Sequence, residues 1–84
     1  MYSLIYSNKF EKQIKKFPKK EQIKIVEKLE TILEEPRKFS IKLETTKPAI
    51  YRLRVGEYRV FFAIDDPTKI IKIIKVERRT TQTY

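Results

Sequence analysis

The side chains of this sequence that can do chemistry are mostly arginines. Arg52, Arg54 and Arg59 stand close together in the block 50–62 with Phe61 beside them, and Arg78 and Arg79 follow near the end of the sequence. There is no His and no Cys. The usual general base, the usual metal ligands and a thiol nucleophile are therefore missing, and chemistry falls to Lys, Arg, Tyr, Ser/Thr and carboxylates. A guanidinium is a planar, permanently charged fork that grips phosphate and stacks on bases. The chain is rich in Lys, yet five of its six Arg lie after position 50. Solubility alone does not call for that switch, so an anion-binding face is favoured over a plainly solvated one. Tyr84 adds a ring and a phenol that can stack on a base or transfer a proton.

Whole-chain numbers agree with that chemistry. Twenty Lys+Arg against 11 Asp+Glu leave a net charge of +9, which suits a polyanionic partner: nucleic acid, an acidic protein or an anionic membrane surface. No apolar run approaches the roughly 18–20 residues of a transmembrane helix, and the first six residues lack the basic flank of a signal peptide. A cytoplasmic location, no membrane partner and no cofactor or metal are expected. With 84 residues, 40% of them hydrophobic, and one Gly, the chain reads as one folded domain over 1–84.

The elements that must position these residues follow from periodicity. Residues 2–6 read as a short strand. Asn8 and Glu11 have the spacing of a capping box, and Phe10, Ile14 and Phe17 recur at helical intervals behind it. Pro18 interrupts this helix and starts a second, whose stripe Ile25, Val26, Leu29, Ile32 and Leu33 runs to about Glu35, where Pro36 stops it. Residues 50–55, 58–64 and 70–78 are β-branched and aromatic, hence strands. The expected fold is α+β: a helical hairpin on one face of a small, twisted, largely antiparallel sheet, in the order β-α-α-β-β-β.

The turn between the first two of these later strands fixes what each face carries. Gly56 in the first position of a two-residue loop suits a type II′ turn. Val55 then pairs with Tyr58, Arg54 with Arg59, Leu53 with Val60 and Arg52 with Phe61. Alternation puts Tyr51, Leu53, Val55, Tyr58, Val60, Phe62 and Ile64 on one apolar face, and Arg52, Arg54, Arg59 and Phe61 on the other. Arg54 directly across from Arg59 is destabilising by a few tenths to about 1 kcal/mol. In the last strand simple alternation groups Ile73, Lys75, Glu77 and Arg79 on one side, with Ile74, Val76 and Arg78 on the other, so that one of Arg78 and Arg79 projects over the basic face. The lysines of the helices, such as Lys20, Lys24 and Lys28, interleave with glutamates and read as a solvated helix face; attraction to RNA is the functional alternative.

The block Ile50-Tyr51-Arg52-Leu53-Arg54-Val55-Gly56-Glu57-Tyr58-Arg59-Val60-Phe61-Phe62, the strand Ile73-Ile74-Lys75-Val76-Glu77-Arg78-Arg79, the element order and the charge together resemble the RelE/ParE superfamily of toxin–antitoxin toxins over essentially the whole chain. RelE-type members cut mRNA in the ribosomal decoding site without a metal, using basic strand residues and a tyrosine. The resemblance therefore implies a ribosome-dependent endoribonuclease in which Arg59 and Arg79 hold the scissile phosphate, Arg52 and Arg54 position the backbone, Phe61 stacks and Tyr84 transfers a proton or stacks. Arg54 and Arg78 are included among the catalytic and RNA-binding residues respectively. Relatives often have Lys where Arg52 and Arg54 stand; guanidinium keeps its proton, so neither supplies a base. Glu57, in the turn, is a carboxylate alternative. The implied partners are the ribosome, mRNA and a cognate antitoxin, in a heterodimer or heterotetramer. ParE-type relatives share the fold and inhibit DNA gyrase by binding it, which is the alternative function. A plain basic RNA-binding domain is a third.

Overall fold

The short apolar runs and the single Gly become a five-stranded sheet under two helices in the computed structural model, which describes residues 1–43 and 49–78. The elements are β1 (Ser3–Tyr6), α1 (Asn8–Ile14), α2 (Lys19–Thr31), β2 (Ser40–Lys42), β3 (Ile50–Val55), β4 (Tyr58–Asp65) and β5 (Ile70–Arg78). The strands lie in the order β1-β5-β4-β3-β2. All neighbours are antiparallel except β1 with β5, which run parallel. The expected α+β architecture holds, with β2 as an additional short edge strand.

Helix boundaries depart from the sequence expectation in three places, one of them the end of α1, which comes at Ile14, before Phe17 and Pro18. The N-cap of α1 is Ser7, whose hydroxyl accepts the Phe10 N–H at 3.0 Å, so Asn8 is already the first helical residue. Ser and Asn are both good caps; Ser7 takes the role because its hydroxyl also donates to the Ile74 carbonyl of β5, a bond that ties the cap to the sheet. Helix α2 starts after Pro18 as expected but ends at Thr31, before Pro36, with the Ile32 N–H turning back to the Leu29 carbonyl. Ile32 still enters the core from that terminal turn.

The helices bury one face of the sheet. Phe10 and Ile14 of α1 and Ile25 and Leu29 of α2 pack on Leu53, Val60, Phe62 and Ile73. Each fully buried side chain of this kind stabilises by about 1.5–3 kcal/mol relative to exposure. All seven residues placed on the apolar face of the β3–β4 hairpin are buried. The hairpin register matches the expected one pair for pair. Gly56 has φ +59° while Glu57 is not among the described residues with positive φ, as a type II′ turn requires.

In β5 simple alternation fails. Phe61 pairs with Lys75 and Phe62 with Ile73, which leaves Ile74 as the extra residue of a β-bulge. Before the bulge Ile71 and Ile73 face the helices; after it Val76 does, and all three are fully or almost fully buried. Lys75 and Glu77 are thereby moved to the opposite face. Burying two charged side chains under the helices would cost several kcal/mol, and the bulge avoids it.

Candidate functional site

The face of the sheet away from the helices is organised in cross-strand rows. One row reads Arg54 (β3), Arg59 (β4), Glu77 (β5); the next reads Ile41 (β2), Arg52 (β3), Phe61 (β4), Lys75 (β5). Neighbouring strands lie about 5 Å apart, so Arg54 and Glu77 are roughly 10 Å apart across the sheet. Four cations and one carboxylate thus share a surface small enough for a short stretch of sugar–phosphate chain. Arg54 is exposed, and Arg52, Arg59 and Phe61 are half-buried.

Among the described residues, no carboxylate lies within 4 Å of the Arg52, Arg54 or Arg59 guanidinium. The hairpin holds three like charges on adjacent strands, two of them directly opposed; among the described residues Glu77, in register with Arg59, is the carboxylate in their rows, and its ion pair is with Lys75. An external anion relieves that repulsion. Lys75 and Glu77 do contact each other, at 3.1 Å. The Lys75 ammonium also stands 4.7 Å from the centre of the Phe61 ring, so one side of that ring is already covered by a cation.

The part of β5 that carries Lys75 and Glu77 is firmly held. Strand β1 pairs with β5 only as far as Ile73, and α1 takes over where it ends. The Ser7 N–H reaches the Ile73 carbonyl at 2.9 Å, the Ser7 hydroxyl reaches the Ile74 carbonyl, and the Gln13 side-chain oxygen accepts the Val76 N–H at 2.9 Å. Backbone groups freed by the bulge are therefore satisfied from the helix.

Arg78 is a correction to the expected basic face. It pairs opposite Tyr58, in the alternation that faces the helices, and its exposed guanidinium is 3.9 Å from Glu57 at the turn. The bulge is the reason: it reverses the phase of the strand's last residues. Arg79 and Tyr84 lie outside the described residues. Lys75 and Glu77 are the site residues that reading by alternation missed. The signal for them is the spacing Ile71, Ile73, Val76, in which one step of three interrupts steps of two.

A second cluster lies at the other end of the sheet, near the β4–β5 turn. Arg37 donates from Nη2 to Asp66 at 2.8 Å, from Nη1 to the same carboxylate at 3.3 Å, and from Nε to the Tyr51 hydroxyl at 2.9 Å. The Tyr2 hydroxyl donates to Asp66 at 2.6 Å. The Arg37 hydrogen bonds, and after them that of Tyr2, hold the Asp66 carboxyl below the usual carboxylate range; the Asp66 hydrogen bond in turn raises the Arg37 guanidinium further above its ordinary value.

Comparison with known proteins places this geometry in a family. The family model described as "ParE toxin of type II toxin-antitoxin system, parDE" matches residues 4–83. No curated protein matches the chain. Among solved structures, the archaeal RelE–RelB complex from Pyrococcus horikoshii OT3 is 31% identical, covers 96% of this chain and 98% of that one, and superposes with a TM-score of 0.81. The RelBE2 toxin–antitoxin complex from Mycobacterium tuberculosis is 23% identical over 93% of this chain and 98% of that one, TM-score 0.83. The isolated Escherichia coli RelE toxin is 21% identical over 98% and 88%, TM-score 0.82; these last two are similar in fold.

Proposed function

The chain belongs to the ParE toxin family of type II toxin–antitoxin systems, within the RelE/ParE superfamily, and we propose that it is a ribosome-dependent endoribonuclease that cuts mRNA. It is a toxin whose partner is a cognate antitoxin, as in the RelE–RelB and RelBE complexes it resembles. The RNA reading rests chiefly on one observation: Arg52, Arg54 and Arg59 crowd one solvent-facing surface, and no carboxylate of the described residues forms an ion pair with them.

RNA is cut when a ribose 2′-hydroxyl attacks the adjacent phosphorus and the 5′-oxygen departs. A protein accelerates this by holding the attack in line, by neutralising the charge that builds on the phosphoryl oxygens and by moving two protons. Arg59, with Arg79, holds the scissile phosphate and takes up the added charge. Arg52 and Arg54, one on either side of Leu53 along β3, fix the sugar–phosphate backbone. Phe61 offers a half-buried ring for a base, in competition with Lys75, and Tyr84 stacks on a neighbouring base. The ribosome supplies the bent mRNA that so open a surface cannot impose.

Primer extension on an mRNA engaged by translating ribosomes tests this reading. Added protein is expected to create discrete new 5′ ends within codons, and none with ribosomes omitted. Intact mRNA under those conditions would contradict it. The match to a ParE toxin model favours a second reading, a protein that inhibits DNA gyrase by binding; blocked supercoiling together with uncut mRNA would establish that one instead.

A further inference from the structure

We propose that Lys75 and Glu77 are the proton-transferring pair of this site, an inference that rests on the nuclease reading. Glu77 takes the proton of the attacking 2′-hydroxyl, and Lys75 gives one to the departing 5′-oxygen.

The first argument is placement. The Ile74 bulge brings both side chains to the face that holds Arg52, Arg54 and Arg59, with Glu77 in register with Arg59 and Lys75 in register with Phe61. The second is electrostatic. A carboxylate amid four cations weakens attraction for a phosphate chain, so a face built only to bind RNA would be better without it. Glu77 also has no stabilising task of comparable weight. Its ion pair among the described residues, with Lys75, is exposed by about a third on one partner and nearly half on the other, and such pairs contribute at most about 1 kcal/mol.

The third argument is elimination. The arginines cannot release a proton, the chain has no His, and a tyrosine such as Tyr84, with an ordinary pKa of about 10, is a protonated phenol near neutral pH and holds no free base. Among the described residues Glu57 stands at the turn beyond the last row, 66% exposed and 3.9 Å from Arg78, and Asp65 lies at the far end of β4. Glu77 is the carboxylate that the sheet carries among the arginines. The fourth is rigidity: hydrogen bonds from Ser7 and Gln13 pin the backbone on both sides of Lys75, and a proton-transferring group must be held in place to act.

The step balances without another reactant. The 2′-oxygen forms its bond to phosphorus as its proton passes to the Glu77 carboxylate. The bond from phosphorus to the 5′-oxygen breaks, and that oxygen takes a proton from the Lys75 ammonium. The products are a 2′,3′-cyclic phosphate and a 5′-hydroxyl, with Glu77 protonated and Lys75 neutral. Transfer of the proton from Glu77 to Lys75, whose polar atoms are 3.1 Å apart in the structure, restores the starting state.

The test compares wild type, Glu77→Gln, Glu77→Asp and Lys75→Met, as full chains, on ribosomes programmed with one defined mRNA, measuring binding and single-turnover cleavage separately across pH. Glu77→Gln is expected to bind at least as tightly as wild type, because a repelling charge is gone, and to cleave about 100- to 10,000-fold more slowly. The fall in rate on the acid side of the wild-type pH profile disappears in this variant. Glu77→Asp recovers part of the rate, and Lys75→Met loses the fall on the alkaline side. Cleavage by Glu77→Gln at the wild-type rate overturns the pair and leaves the nuclease reading standing. Parallel loss of binding and cleavage makes Glu77 a structural residue and also overturns it. A wild-type protein that cuts nothing overturns both readings together.

Discussion

The two ends of the sheet use the same residue type in opposite ways. Near the β4–β5 turn, Arg37 is fully engaged: its guanidinium bonds Asp66 twice and Tyr51 once, and its charge is cancelled. Toward the Gly56 turn, Arg52, Arg54 and Arg59 hold their charge against one another with no carboxylate within 4 Å among the described residues. One end joins Tyr2 just before β1, strand β3, the segment after α2 and the β4–β5 turn. The other carries an excess of positive charge on its open face. What an arginine does here is decided by its neighbours, and those neighbours are set by strand register.

A charge in the buried row of β5 should have the largest effect. Val76→Asp puts a carboxylate where the bulge turns an apolar side chain under the helices. The buried charge costs several kcal/mol, a large part of the roughly 5–15 kcal/mol that stabilises a typical small domain. Loss of a cooperative thermal transition by circular dichroism is expected; a melt close to wild type would show that β5 can re-register at little cost. Gly56→Ala comes next. Nothing lies within 4 Å of an added Cβ, so the cost is that of an L-residue at φ +59°, about 1–2 kcal/mol. Denaturant titration should show that loss, and an unchanged midpoint would mean the turn had changed type.

Substitutions at the two ends sharpen the contrast with smaller effects. Arg37→Ala leaves Asp66 with the Tyr2 hydroxyl but without the guanidinium, removes the donor to the Tyr51 hydroxyl, and should destabilise by about 1 kcal/mol, discounted for exposure. Arg59→Ala, by contrast, removes a like-charge opposition and should leave stability unchanged or raised by a few tenths of a kcal/mol. Smallest is a pH effect at the engaged end. The Asp66 carboxyl is held low in the folded chain by Arg37 and then Tyr2. Its contribution is therefore present above the ordinary carboxylate range and is lost as pH falls through the lower, folded value. Melting temperature against pH should fall less steeply on the acid side in Asp66→Asn than in wild type. Identical slopes would remove Asp66 from the acid response.

The legible parts of the fold were those governed by local chemistry. Gly56 fixed the hairpin, and with it the seven buried residues and the row Arg54–Arg59, because a two-residue loop admits one register. Simple alternation runs straight through Ile73-Ile74, which puts Lys75 and Glu77 on Ile73's side and makes Arg78 a candidate for the open face; the bulge reverses all three. Edge strand β2 is three residues long and is defined by its pairing with β3, a tertiary fact with almost no local signature. The cap of α1 went to Ser7 over the equally suitable Asn8 for a similar reason, a bond to β5 sixty-seven residues away. The antitoxin partner came from family likeness, since no residue of this chain specifies it.

Primer extension with Arg59→Ala and Arg37→Ala side by side, on the same programmed ribosomes, tests the central claim most directly. The account predicts that the cuts vanish with Arg59→Ala and persist with Arg37→Ala, although Arg37→Ala is the less stable protein. Cuts that persist with Arg59→Ala, or that fade equally in both variants, would contradict it.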